Sequence, residues 1–144
     1  MFGQKTQRSY PILGQMTYRS QYWFGTLALP EFDAEVEILV RANKDGISAA
    51  QLNAVQTCFN QLKLIKTQAT AAMMSLFAEC EMQAPNTDIW MDLLAESIEV
   101  TDEHYDVSTG KISVLLLFCS QSITEFCPAI EVIDGEFVQV LGAT

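Results

Sequence analysis

Polar and apolar residues alternate one by one along Glu35–Ala42, with Val36, Ile38 and Val40 on one side and Glu35, Glu37 and Arg41 on the other. A period of two sends successive side chains to opposite faces, so the segment predicts a strand with one buried and one wet face. Upstream, Tyr22–Leu29 (YWFGTLAL) is aromatic-rich and ends at Pro30, which predicts a second strand. A third is expected at about Ile12–Tyr18, and Asn43-Lys44-Asp45-Gly46 reads as a turn.

At Ser48 the period changes from two to between three and four. Leu52, Val55, Phe59 and Leu62 recur at helical spacing, as do Ala69, Met73, Leu76 and Cys80, within a stretch reaching about Gln83. Ser48 with Gln51 three residues on has the form of a reciprocal helix cap, in which each side chain satisfies a free backbone N–H. Lys66 stands where the first stripe would continue, which predicts two helices with a break near Asn60–Lys63. Met73, Met74 and Phe77 read as core. Past Pro85-Asn86, Thr87 or Asp88 can cap a short helix over Ile89–Ser97, with Ile89, Trp90, Leu93 and Leu94 as its apolar side. Ile98–Val100 reads as a brief strand and Asp102–Gly110 as a polar connection. Lys111–Cys119 (KISVLLLFC) is apolar without alternation, the pattern of a strand covered on both faces near the middle of a sheet. Finally, Asp134-Gly135 between Ala129–Ile133 and Glu136–Leu141 predicts a two-residue type I′ hairpin that pairs Ile133 with Glu136 and Val132 with Phe137. Ile130, Val132, Phe137 and Leu141 are then expected on one buried face. The fold class is α+β: an antiparallel sheet with N-terminal strands, a central helical pair plus a short third helix, and a C-terminal β-hairpin.

A chain of 144 residues with 49% hydrophobic and 10% aromatic residues is enough for one domain, 1–144, with its own core. The longest apolar run, Val114–Cys119, is far below the roughly 20 residues that span a bilayer, and MFGQKTQRSYPILG lacks the apolar stretch of an export signal, so a cytoplasmic chain with no membrane association is expected. Cys58, Cys80, Cys119 and Cys127 form no CxxC pair and no zinc spacing; they read as reduced core or near-core residues, with a Cys119–Cys127 bridge as the alternative.

Charge divides the chain. Residues 1–72 carry seven Lys and Arg against five carboxylates, whereas residues 73–144 carry Lys111 alone against thirteen, giving the net charge of −10. Such a field disfavours nucleic acid, which needs clustered Lys and Arg to neutralise phosphate, and attracts a basic partner. Asp88, Asp92, Glu96 and Glu99 recur at i, i+4, i+8 and i+11, one face of the expected short helix, where repulsion and the helix dipole both work against them. With Asp102, Glu103 and Asp106 they are the candidate partner-binding residues. No glycine-rich phosphate loop, nucleophile elbow or dinucleotide motif occurs, and neither catalytic residues nor a cofactor are expected. His104 within Asp102-Glu103-His104-Tyr105-Asp106 reads as part of a solvated loop rather than a metal site, since no second His or CxxC completes a ligand set.

Trp23-Phe24-Gly25 with Leu27–Phe32, the Ile47–Gln51 helix start, Thr124-Glu125-Phe126 and Ile130–Gly142 together resemble a group of uncharacterised bacterial α+β domains, several of which accompany polymorphic toxins as immunity proteins. Many members carry Glu-His-Gly where this chain has Glu125-Phe126-Cys127. The resemblance implies an α+β fold and, for some members, a non-enzymatic, toxin-neutralising role. The expectation is therefore an acidic, immunity-type binding protein for a basic toxin or effector. A general interaction or scaffold domain, a homodimer included, and a small enzyme with an unrecognised site are the alternatives.

Overall fold

A computed structural model describes residues 6–79, 88–123 and 125–142. Eight strands form one sheet in chain order: β1 (Gln7–Tyr10), β2 (Gly14–Arg19), β3 (Tyr22–Leu29), β4 (Ala34–Arg41), β5 (Leu93–Val100), β6 (Ser113–Ser120), β7 (Ala129–Ile133) and β8 (Glu136–Leu141). Every neighbouring pair is antiparallel except β4 and β5, which run parallel. Parallel neighbours need a long crossover, here supplied by α1 (Ala49–Asn60) and α2 (Leu62–Glu79). The break between them falls at Gln61, within the predicted interval; the stretch expected to run on to Gln83, Cys80 included, passes out of the described residues.

The pairing lines up two rows of core side chains. Trp23, Val40, Val100, Val114 and Val132 are successive cross-strand partners or their continuation, and all are buried; Ile38, Ile98, Leu116 and Ile130 form the next row. Ala54, Val55, Cys58, Leu62, Ile65, Ala69, Met73 and Phe77 of the helices pack into the same cluster, so both helices lie on this face. Gln51 sets their position. Besides completing the predicted cap with Ser48, its buried amide donates to the Arg41 carbonyl at 2.7 Å and the Thr101 carbonyl at 3.0 Å, tying the helix start to the ends of both parallel strands. The buried stripe therefore runs through Gln51, Ala54, Val55 and Cys58, with Leu52 and Phe59 on its flank.

Three expectations need correction. The short helix is one turn, α3 (Ile89–Asp92), capped by Asp88, which accepts from the Trp90 N–H; from Leu93 the chain is strand, not helix to Ser97. Pairing with β6 from Leu93 onward, joined by β4 at Ser97, outweighs the modest helix preference of Leu93–Ser97. Second, β1 lies N-terminal to the predicted strands, an edge strand too exposed to show alternation. The third concerns the hairpin. Asp134 and Gly135 both take positive φ (55° and 77°) and the predicted pairs hold, but a bulge makes Glu131 pair with Gln139 and leaves Val138 as an extra residue. The extra residue reverses the alternation beyond it. Val140 consequently takes the core-side place expected of Leu141, which pairs with Ala129 and faces the other way.

Candidate functional site

The sheet has a second face, and no described helix covers it. Its central row runs Thr17, Phe24, Leu39, Glu99, Leu115, Glu131 and Gln139 across seven strands. A second row holds Thr26, Glu37, Ser97, Leu117, Ala129 and Leu141. Phe24, Leu39 and Leu117 are half-buried and outside the core cluster, so apolar surface here meets solvent at intervals between carboxylates. Leu94, 54% exposed, stands at the same face next to Cys119.

The carboxylates of this face fall into two sets. Glu131 is buried and engaged: Ser113 Oγ donates to it at 2.8 Å and Gln139 Nε2 at 2.8 Å. Glu35, Glu37 and Glu99 make no ion pair among the described residues. Glu37 and Glu99 sit diagonally on adjacent strands, since Glu99 pairs with Leu39 and Glu37 with Ser97. Like charges so placed repel. At the β3–β4 end the sign reverses: Arg19 lies over the Phe24 ring at 4.9 Å and Arg41 over Tyr22 at 5.7 Å.

The seven acidic residues singled out from the sequence are not one row. Asp88 caps α3. Asp92 accepts from Ser120 Oγ and from the Ser122 N–H at 3.1 Å, holding the turn after β6 against the start of β5. Asp102 accepts from the His104 N–H at 2.9 Å and pairs with Arg41 at 3.5 Å. Asp106 accepts from Ser108 N–H and Oγ; these bonds, with those from Thr109, hold its carboxyl below the usual range. Glu103 lies 3.4 Å from His104, and both are exposed. Only Glu96 and Glu99 reach the open sheet face, Glu96 as the extra residue of a bulge between Ala95 and Ser97. Helical spacing had placed them with Asp88 and Asp92; strand geometry separates them.

At the C-terminal ends of β4 and β5 lies a cleft of about 480 Å³ lined by residues including Tyr18, Arg41, Asn43, Gln51, Asp102 and His104. Its chemistry is already paired: Arg41 faces Asp102, and the Gln51 amide spans two carbonyls. Among the described residues no buried side-chain polar atom lacks a partner, and no cluster of His, Cys, Asp and Glu has the arrangement of a metal site. No described helix is long and apolar enough to cross a membrane.

Comparison with family models, curated proteins and solved structures gives no match. The open face therefore stands on its own geometry. The sequence reading missed Phe24, Leu39, Leu115 and Leu117 as parts of one surface, and the signal was partial. The outward Glu35 and Glu37 were visible in the alternation of β4, but which residues of β5 and β6 would lie beside them depended on a parallel pairing across fifty residues of intervening chain.

Proposed function

We propose that the protein is an acidic binding module that takes a basic protein partner on the open face of its sheet. The observation that carries this reading is the diagonal placement of Glu37 and Glu99 on adjacent strands, with no ion pair among the described residues, beside the half-buried Phe24, Leu39 and Leu117. Intramolecular stability does not favour that surface, whereas a partner bringing Lys or Arg between apolar side chains would neutralise the charges and remove the apolar area from water. The net charge of −10 acts in the same sense, steering a cationic partner from a distance. A basic toxin or effector, neutralised by occlusion, is the partner class that the resemblance to immunity domains implies. The role is non-enzymatic.

The test recovers proteins bound to the tagged full chain at low salt, then titrates the recovered partner against the Glu37→Gln/Glu99→Gln double variant. The expected partner is basic, its affinity falls as salt rises toward about 1 M, where the Debye length shrinks to about 3 Å, and the double variant weakens it at low salt. Equal affinity of variant and native chain would remove this face from the function. Growth rescue on co-expression would then distinguish a neutralised toxin from a partner with another role.

A further inference from the structure

We propose that Cys119 and Cys127 are a reversible disulfide site, a cross-strand dithiol that exchanges with low-molecular-weight disulfides. The register beyond the regular β6–β7 ladder places them. The Phe118 N–H donates to the Pro128 carbonyl at 2.9 Å and the Ser120 N–H to the Phe126 carbonyl at 2.9 Å. Continuing the ladder from the Leu117–Ala129 pair, these bonds bracket Cys119 and Cys127 and make them directly opposite, in a non-hydrogen-bonded position. Residues so placed have Cα atoms about 4.5 Å apart, just inside the roughly 4.4–6.8 Å window of disulfides. The two sulfurs lie 2.9 Å apart, so no backbone movement is needed to join them.

Access makes the site an exchanging one rather than a fixed staple: both residues are half-buried on the open face, and disulfides that a soluble thiol can reach are the labile ones. Cys58 is the internal contrast, fully buried among the helices, where burial pushes its thiol up to about 12. Beside the dithiol, Glu96 acts as a restraint. Cys119 is pushed up to about 12 first by its hydrogen bond with Cys127 and also by the Glu96 carboxylate, which bonds to it and repels its thiolate.

The chemistry balances without any group beyond the named disulfide. The thiolate of one cysteine attacks RSSR, forming a mixed disulfide and releasing RS⁻, which takes the proton given up by that cysteine. The second cysteine then displaces the remaining RS⁻, giving the Cys119–Cys127 bond and a second RSH. Two electrons pass from the protein sulfurs to the reagent.

The experiment uses the full chain with Cys80→Ser, equilibrated in glutathione buffers of graded reduced to oxidised ratio, quenched in acid and mapped by peptide mass. A Cys119–Cys127 bridge should form in excess oxidised glutathione and disappear in excess reduced glutathione. Cys119→Ser, and separately Cys127→Ser, should instead hold one glutathione on the remaining thiol, and Glu96→Gln should speed bridging several-fold at neutral pH. Both cysteines staying free at every ratio would overturn the proposal, as would a bridge that excess reduced glutathione leaves intact. An unchanged rate in Glu96→Gln would overturn the restraint assigned to that residue.

Discussion

The two faces of this sheet are built from the same strands, yet they obey different rules. On the helix side, Val40, Val100, Val114 and Val132 line up without a polar interruption, and each touches neighbours from another layer. On the open side the corresponding row alternates Leu39, Glu99, Leu115 and Glu131, and no described helix lies above it. The first face gains from each methyl group it buries. Charge on the second is held by hydrogen bonds at Glu131 and solvated at Glu37, and the solvated residues are free to answer to something outside the chain. Stability and binding are thus divided between opposite sides of one pleated surface, a division that strand alternation makes possible at no cost in chain length.

Substitutions should expose that division. Phe118, 1% exposed and in contact with the rings of Phe32 and Trp90, is on the helix side; Phe118→Ala should cost about 3–5 kcal/mol in urea denaturation. Leu39→Ala on the open side should cost clearly less, about 1–2 kcal/mol, because part of the side chain stays in water in the folded state. If Leu39→Ala proved as costly as Phe118→Ala, the open face would be covered in solution, and sedimentation of the native chain would show a dimer. Gly135→Ala tests the hairpin that presents both faces at the β7–β8 end. At φ 77° a side chain is strained, and its Cβ would lie 3.0 Å from Thr57 Cβ and 3.1 Å from the Thr57 carbonyl oxygen. A loss of about 1–2 kcal/mol is expected from the backbone alone.

The Glu37→Gln/Glu99→Gln variant should leave stability within about 0.5 kcal/mol of native, or raise it, because repulsion is relieved. A larger loss would show that these carboxylates hold the sheet together. The smallest effect concerns Asp106. Its folded-state carboxyl lies below the ordinary value of about 3.9, so the contribution is present above that pH and is lost as pH falls through the lowered value. NMR titration of the side chain should give a midpoint below that of free aspartate, and Ser108→Ala should move it back up.

Local chemistry wrote several parts of this structure directly. The Ser48–Gln51 cap, the Asp134-Gly135 turn and the alternation of β4 each depend on residues within a few positions of one another, and each stands where the sequence placed it. Elements that depend on distant pairing were not legible. The β2–β3 turn uses Ser20 and Gln21 at positive φ without a glycine to announce it, and Leu93–Ser97 is compatible with helix until β6 claims its backbone, with β4 joining at Ser97. One extra residue at Val138 exchanges Leu141 for Val140, because parity along a strand counts every insertion. The acidic excess of the second half was fixed by composition. Which carboxylates would become caps, which would be buried among hydrogen bonds, and which would be left facing water was decided only when β4 paired with β5, since a period-two strand and a period-3.6 helix send the same residues to different neighbours.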